Sequence, residues 1–251
     1  MPRTNNLLKR LLMRTDAEIY SITRFMEFAS SQVAASDKVL DAGAGTLPYR
    51  DYFSHAHYEA TDFEDAFYKE SELAYDFLCN LENIPKADDS YDVVVNTQVL
   101  EHVENPERVV KEFFRVLKPG GKLFLTAPQG WGVHGAPYHF FNFTQYGLRS
   151  LFEKAGFEIV SIEPRGGIFW YLGKRIRTLP NYILAQYLFR KDVSNRRELH
   201  PHLGAFFIAP FYVIAVPFCL YLIPFLFFYL DRIDRNQDYT LGYACYCRKS
   251  N

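Results

Sequence analysis

The chain has 251 residues and a formal net charge of −1, which is long enough for one α/β domain with additions. The net charge is not positive, so it gives no indication that the protein binds nucleic acid. The four cysteines (Cys79, Cys219, Cys245 and Cys247) have neither metal-ligand spacing nor the pattern of a disulfide framework. We therefore predict no metal site and a reduced, cytosolic environment.

Residues 1–35 are predicted to form helices that cap the domain. Leu7, Leu8, Leu11 and Leu12 recur at helical spacing, and a second apolar pattern follows over residues 19–28. Basic residues interrupt the first pattern, so it does not read as an export signal. Weak docking to a membrane surface is the alternative.

A glycine turn follows the first predicted strand. Residues 38–40 read as a short buried strand, Asp41 stands at its carboxyl end, and Gly43 and Gly45 allow a tight turn. We predict a helix over residues 47–53, capped by Thr46. Strand, turn and helix amino-terminus are typical of the nucleotide crevice of an open α/β sheet, although such a turn can also be purely structural.

A second acidic residue stands at the end of the next strand. Residues 57–62 read as a strand that ends in Asp62, which lies 21 residues beyond Asp41. This offset is close to the roughly 20 residues expected of a carboxylate that binds ribose hydroxyls.

The remaining strands alternate with helices. Strands are predicted at residues 75–79, 91–95, 122–127 and 157–163, and helices at 106–117 and 144–155, the second ending at Gly156. This alternation favours a mostly parallel sheet.

Three motifs add to the glycine turn. They are Leu100-Glu101-His102-Val103, the segment 113–121 ending in Lys118-Pro119-Gly120-Gly121, and Leu81-Glu82-Asn83-Ile84-Pro85 leading to residues 90–94. In this order around Asp41-x-Gly43-x-Gly45, residues 36–164 resemble class I S-adenosylmethionine-dependent methyltransferases of the small-molecule type, such as quinone-biosynthesis and glycan-associated enzymes. The resemblance implies a Rossmann-like, mostly parallel seven-stranded sheet whose antiparallel last strand is residues 239–248.

The resemblance also implies S-adenosyl-L-methionine as cofactor. The cofactor-binding residues that it implies are Asp41, Gly43, Gly45 and Gln98 at the methionine part, Asp62 at the ribose, and Asn80 and the backbone of Leu81 at the adenine. Asn80 stands where the family often has Asp, and Leu47 and Pro48 replace the third glycine of the dinucleotide fingerprint. His102 is interpreted as a histidine that orients a loop.

An acceptor hydroxyl benefits from a general base. His134 and then His139 are the candidate catalytic residues, in the loop after the fifth strand where this fold places its substrate. Alternatively, this loop only shapes the substrate pocket.

An apolar run lies before the last strand. Residues 203–230 carry no charge and include three prolines seven residues apart, so we predict two half-length helices, broken near Pro217, that dip into or lie on one membrane leaflet. The preceding residues 165–202 have a charge balance of +6 among aromatic residues, which fits an anionic leaflet. A charged face beside a buried dimer interface is the alternative.

We therefore predict capping helices at 1–35, a methyltransferase domain at 36–164 and 239–251, and a membrane-associating insertion at 165–238. The predicted activity is methylation of a lipid-linked or other hydrophobic small molecule, at a hydroxyl, on the cytoplasmic face of a membrane. Alternatives are carbon methylation of a quinone-like ring, a non-catalytic cofactor-binding membrane scaffold, and a nicotinamide-dependent dehydrogenase, which the missing glycine disfavours. The oligomeric state is not predicted.

Overall fold

The computed structural model describes residues 11–63, 74–191, 197–199 and 203–250. Within them the chain forms two compact units. Unit 1 contains Ile22–Arg165 and the chain from Gly242 onward, and unit 2 contains residues 11–21 and Gly166–Leu241. Of the predicted amino-terminal helix pattern, Leu7 and Leu8 lie outside the described residues.

A seven-stranded sheet forms the centre of unit 1. Its strands are β1 Lys38–Ala42, β2 His57–Asp62, β3 Phe77–Leu78, β4 Tyr91–Thr97, β5 Leu117–Pro128, β6 Phe157–Pro164 and β9 Gly242–Lys249. The strand order is β3-β2-β1-β4-β5-β9-β6, and β9 runs antiparallel to both of its neighbours while the other pairs are parallel. The predicted Rossmann-like sheet with an antiparallel last strand is confirmed. Its strand order reverses between β1 and β4, where such sheets bind ligands.

Helices cover both faces of this sheet. They are α1 Ala17–Ser31, α2 Pro106–Val116 and α3 Gln145–Ala155. Val93 and Val95 of β4 pack in the cluster that contains Met26 of α1, whereas Val94 packs in the cluster that contains Phe113 of α2. Successive strand residues point to opposite faces, so a run of three buried valines supplies both cores.

The ends of α3 follow the predicted signals. Thr144 precedes the helix and its hydroxyl accepts a hydrogen bond from the Gly147 N–H at 3.2 Å. Gly156 ends it with a φ of 97°, a left-handed conformation that glycine adopts without strain.

Two local predictions need correction. No α-helix covers residues 47–53: Leu47 has a φ of 58°, which interrupts helical geometry, and only Arg50–Phe53 form a 3₁₀ turn. Strand β5 starts at Leu117 and not after the glycines, because the chain continues beside β4 through a register shift between Tyr91 and Val93.

Unit 2 is mainly helical. It contains α4 Ile168–Leu188, a hairpin of β7 Phe189–Lys191 and β8 Arg197–Leu199, α5 Gly204–Val216, a π-helical segment Pro217–Leu222, and α6 Ile223–Leu230. The prediction of two half-length helices is wrong, because Gly204–Ile233 form one continuous helix of 30 residues. The widened turn accommodates Pro217, which has no N–H to donate. This helix is long and apolar enough to cross a membrane.

Carboxylates hold the helices of unit 2 in place. Asp231 is buried and accepts hydrogen bonds from the N–H groups of Gly167 and Trp170, both at 2.9 Å, at the start of α4. Asp16 pairs with Lys174 at 2.9 Å and with Arg177 at 3.2 Å, and Glu18 pairs with Lys174 at 3.0 Å, so two carboxylates face two cations. Lys174 and Arg177 are therefore neutralised within unit 2, and the predicted basic segment offers less free positive charge than its sequence suggests.

Candidate active site

The glycine turn after β1 is tied to β2. The N–H groups of Gly43 and Ala44 both donate to the Thr61 carbonyl, at 2.9 and 3.0 Å. Gly43 has a φ of 80°, and a Cβ atom there would lie 2.5 Å from a Val99 methyl group. The turn therefore requires glycine at this position, both for its backbone conformation and for the close approach of Val99.

Asp62 lies at the carboxyl end of β2 and faces the same turn. One carboxylate oxygen accepts a hydrogen bond from the Gly45 N–H at 2.7 Å, and the other accepts from the Phe63 N–H at 2.7 Å. Burial raises the pKa of the Asp62 carboxyl, and the hydrogen bonds from the Phe63 and Gly45 N–H groups lower it. The structure thus places the second predicted acid against the glycine turn.

Asp41 is almost completely buried beneath the turn. Its carboxylate accepts a hydrogen bond from the Tyr58 hydroxyl at 2.6 Å. Burial raises the pKa of Asp41 to about 6; the Tyr58 hydrogen bond lowers it, and the negative charge of Asp62 adds to the rise. Asp41 is not among the residues that line the cavity described next.

A cavity of about 560 Å³ opens beside the turn. Six of the predicted cofactor residues line it: Gly43, Gly45, Asp62, Asn80, Leu81 and Gln98. Its size lies within the range of small-molecule sites, and it sits where the strand order reverses. His102, Tyr138 and Phe140 also line it, so the glycine turn and the segment after β5 share one cavity.

Asn80 and Gln98 are held by local hydrogen bonds. The Asn80 side-chain oxygen accepts from the Glu82 N–H at 2.9 Å. Gln98 has a φ of 55°, unusual for a residue with a Cβ, and its side-chain amide donates to the Thr126 hydroxyl at 3.1 Å. Backbone strain of this kind is common where a side chain must face a ligand.

Three histidines and one glutamate meet at the edge of the cavity. The Nε2 atoms of His102 and His134 each lie 3.9 Å from the same carboxylate oxygen of Glu101. The ring of His139 lies 4.3 Å from that of His134 and 5.8 Å from that of His102, measured between centroids. His134 and His139 do not themselves line the cavity but reach it through His102.

Hydrogen bonds assign the proton positions in this cluster. His102 Nδ1 bonds to the Tyr138 carbonyl and His134 Nδ1 to the Gly132 carbonyl, and because a carbonyl only accepts, both Nδ1 atoms carry the proton. Their Nε2 lone pairs are therefore directed away from these carbonyls. His139 has the opposite tautomer. Its Nδ1 accepts a hydrogen bond from the His134 backbone N–H at 3.4 Å, which places the ring proton on the buried Nε2. Burial lowers the pKa of His102 and favours its neutral form.

Sequence reasoning missed several residues at this site. Arg165, the first residue of the predicted basic segment, is buried in unit 1, and its guanidinium donates to the Gln98 side-chain oxygen at 3.3 Å. The Tyr75 hydroxyl donates to the Gly45 carbonyl at 2.6 Å. Neither residue belongs to a motif, so no sequence signal pointed to them. Glu101 belongs to the Leu100-Glu101-His102-Val103 motif, but the sequence does not predict that its side chain is completely buried.

Comparisons with known proteins agree with this geometry. A family model described as a methyltransferase domain matches residues 40–125, from β1 into β5. Over these 86 residues the chain is similar to the methyltransferase-domain family. S-Adenosyl-L-methionine is the cofactor of this domain, and the glycine turn with Asp62 at one cavity fits such a nucleotide.

Curated relatives match the same part of the chain. A Mycolicibacterium smegmatis sequence named as an S-adenosylmethionine-dependent methyltransferase is 40% identical over 86 residues, covering 32% of this chain and 34% of its own. A thiol S-methyltransferase of Rattus norvegicus is 54% identical over 48 residues, 18% of this chain and 20% of its own. A ubiquinone biosynthesis O-methyltransferase of Coxiella burnetii is 32% identical over 59 residues, 23% of this chain and 25% of its own. The match thus spans about a third or less of each relative.

Solved structures support the fold over more of the chain. The [4+2]-cyclase SpnF aligns with a TM-score of 0.55 and 17% identity, covering 90% of this chain and 80% of its own. The YcgJ protein of Bacillus subtilis aligns with a TM-score of 0.50 and 12% identity, covering 91% and 99%. At these identities the likeness concerns the fold alone, and one neighbour is a cyclase, so the reaction must be argued from the site.

Proposed function

We propose that the protein transfers a methyl group from S-adenosyl-L-methionine to a hydroxyl of a hydrophobic, membrane-borne small molecule. The observation that carries the proposal is one cavity in the described part of unit 1, which unites six predicted cofactor residues with the histidine-bearing segment. A dehydrogenase is disfavoured, since the matching family model describes a methyltransferase domain.

In this proposal Asp62 accepts from the ribose hydroxyls, and the glycine turn allows close approach of the methionine part. When bound, the sulfonium cofactor supplies an activated methyl group, so the protein mainly has to align the acceptor and exclude water. The acceptor oxygen forms a bond to the methyl carbon as the carbon–sulfur bond breaks, and a base takes the hydroxyl proton.

His134 is our first candidate for this base and His139 the second. The proton assignment supports this order, because His134 presents an Nε2 lone pair whereas the buried Nε2 of His139 carries a proton. The names of two relatives concern oxygen and sulfur acceptors. Both names concern a heteroatom acceptor, and this supports a hydroxyl over a ring carbon in our proposal.

Membrane association is proposed from unit 2. Large apolar side chains along α5 are exposed, with exposed fractions of 79% for Phe206, 70% for Phe207 and 73% for Phe211. Such a contiguous apolar surface is typical of a membrane or protein interaction site. We place the acceptor in the cytoplasmic leaflet and therefore expect it to be lipid-linked or otherwise hydrophobic.

Two measurements test the proposal. Calorimetric titration with S-adenosylhomocysteine should show one site, weakened about 10- to 100-fold in Asp62→Ala, because a hydrogen bond to a charged group contributes about 1.5–3 kcal/mol. The exposed Asp51→Ala is the matched control and should bind like the wild type. Absence of binding in the wild type would refute the proposal.

The second measurement is transfer of a labelled methyl group to a membrane lipid extract. Label in a lipid whose mass and alkaline stability identify an ether supports hydroxyl transfer. Label on a ring carbon would replace it by quinone methylation, and cofactor binding without any transfer would indicate a scaffold.

A further inference from the structure

The cluster beside the cavity contains more donors than a base requires. A general base needs only one imidazole lone pair. Here Glu101, His102 and His134 each direct a potential metal-ligand atom to one place, and these three atoms all lie within 4.8 Å of one another. No sequence spacing pointed to this, because His134 lies 32 residues beyond His102 and joins it only through the fold.

The protonation pattern of the two histidines suits metal ligation. The Tyr138 and Gly132 carbonyls each fix an Nδ1 proton, so the lone pair of each ring is on the Nε2 atom that lies 3.9 Å from Glu101. Metal-bound histidines almost always donate their other ring N–H to such a partner, which sets both the tautomer and the ring orientation.

Burial and rigidity point the same way. The Glu101 side chain is 1% exposed, and the Nε2 atoms of His102 and His134 both lie 3.9 Å from one of its oxygens. A cation at this place would offset the free-energy cost of burying a charged carboxylate. The Glu101 carbonyl also accepts from the Phe140 and Phe141 N–H groups, at 2.9 and 3.3 Å, so the loop that follows His139 is fixed to this segment.

We infer that Glu101, His102 and His134 bind a divalent transition-metal ion at the edge of the cavity. Two imidazoles and one carboxylate suit ions such as Zn²⁺, Fe²⁺ or Mn²⁺ better than Mg²⁺, which prefers oxygen ligands. Ligand atoms around a tetrahedral ion with bonds of about 2.0–2.1 Å are about 3.4 Å apart, so small side-chain rotations close the site around the ion.

The ion has a use in the reaction that we propose, and this part of the inference rests on that proposal. Its open coordination positions would bind the acceptor hydroxyl and lower its pKa, the proton leaving to water. The oxygen then takes the methyl group as the carbon–sulfur bond breaks. The lone pair of His134 would thus bind the ion in place of the proton.

Direct titration tests the site without methyl transfer. Protein stripped with EDTA and returned to chelator-free buffer is titrated calorimetrically with Zn²⁺, Mn²⁺ and Mg²⁺, and the absorption spectrum of a Co²⁺ complex reports the ligand geometry. We expect one equivalent of Zn²⁺ or Mn²⁺ to bind, with Mg²⁺ much weaker. Failure of both transition metals to bind, or tighter binding of Mg²⁺, would overturn the inference.

Variants locate the bound ion. Glu101→Gln keeps the side-chain volume and His134→Asn changes a more exposed position, and each should weaken binding at least about 100-fold, beyond the loss typical of changes to outer partners. His57→Asn, at the exposed start of β2, is the matched histidine control and should bind like the wild type. Undiminished binding in Glu101→Gln and His134→Asn would refute the site. Thermal unfolding and S-adenosylhomocysteine titration verify that each variant is folded.

Chelation separates the two roles proposed for His134. Methyl transfer should fall at least tenfold with EDTA and recover when the preferred ion is restored, while S-adenosylhomocysteine still binds. Transfer that is insensitive to EDTA would refute the role of the ion and leave His134 as a base. Loss of nucleotide binding in the wild type would instead refute the proposed function.

Discussion

Asp41 shows how a residue can belong to a ligand-binding motif without touching the cavity. Its carboxylate lies under the glycine turn and bonds to Tyr58, so its effect on a ligand passes through the backbone. Because burial raises its pKa from 3.8 to about 6, the folded state binds this proton more tightly than the unfolded state. Stability from this group is therefore present below about pH 4 and lost as the pH rises through 6.

We expect Asp41→Asn to remove this pH dependence. The amide oxygen still accepts the Tyr58 hydroxyl, and no charge is buried above pH 6. Relative to the wild type the variant should gain about 2–3 kcal/mol between pH 4 and pH 7, from a shift of roughly two pKa units at 1.4 kcal/mol each. Chemical denaturation across this pH range measures the gain, with the exposed Asp51→Asn as control. A constant difference between Asp41→Asn and the wild type would contradict the pKa.

Single residues of the site were partly predictable. Gly43, Gly45 and Asp62 follow from the ends of two predicted parallel strands, which lie at one edge of the sheet, whereas Asn80, Leu81 and Gln98 were implied by the family resemblance; all six line the cavity. The contact between Glu101 and His134 was not predictable, since the path of the loop after β5 is set by hydrogen bonds of Tyr138 and Phe140 that no local sequence rule specifies.

At the scale of elements, two glycines in unit 1 should respond oppositely to alanine. A Cβ at Gly43 would lie 2.5 Å from Val99 and require a φ of 80°. At Gly147, inside the first turn of α3, the nearest atom would be Thr144 Oγ1 at an ordinary 3.6 Å. The first substitution introduces strain, whereas the second adds a helix former.

We therefore expect Gly43→Ala to destabilise unit 1 by about 1–3 kcal/mol and to weaken S-adenosylhomocysteine binding. Gly147→Ala should stabilise it by up to about 1 kcal/mol and leave binding unchanged. Denaturant unfolding and calorimetry measure both quantities. Equal responses of the two variants would argue against the close contact between the turn and Val99.

The elements themselves differ in how far sequence predicts them. The cap and end of α3 were predictable because Thr144 and Gly156 act locally. The continuity of Gly204–Ile233 was not predictable, because the expected break near Pro217 assumes α-helical geometry throughout, while the chain adopts a π-helical turn at Pro217. Within unit 2 this helix is tied to the start of α4, where the Gly167 N–H donates to Asp231, and these two residues are far apart in the sequence.

For the whole molecule, we expect binding to lipid vesicles through unit 2. The double variant Phe206→Glu/Phe211→Glu should lower the bound fraction at least tenfold, because each fully buried Phe contributes about 1.5–3 kcal/mol. Tyr146→Glu/Val160→Glu places the same charges on exposed positions of unit 1 and is the matched control. Flotation with phosphatidylcholine vesicles, with and without phosphatidylglycerol, measures the effect.

Equal loss of flotation in both double variants would indicate that charge alone governs adsorption and would contradict a membrane face on α5. Because Lys174 and Arg177 are paired with Asp16 and Glu18, we expect only a modest dependence on the anionic lipid. A strong dependence would point to the basic residues outside this ion pair.

The position of β9 has a consequence for biosynthesis. This strand fills the gap between β5 and β6, yet it follows the whole of unit 2 in the chain. During translation, β6 therefore emerges from the ribosome before its pairing partner β9. It stays unpaired until the apolar helices of unit 2 have been synthesised. If unit 2 binds a membrane as we propose, the lipid surface could capture those helices before the sheet closes, and attachment would precede completion of unit 1.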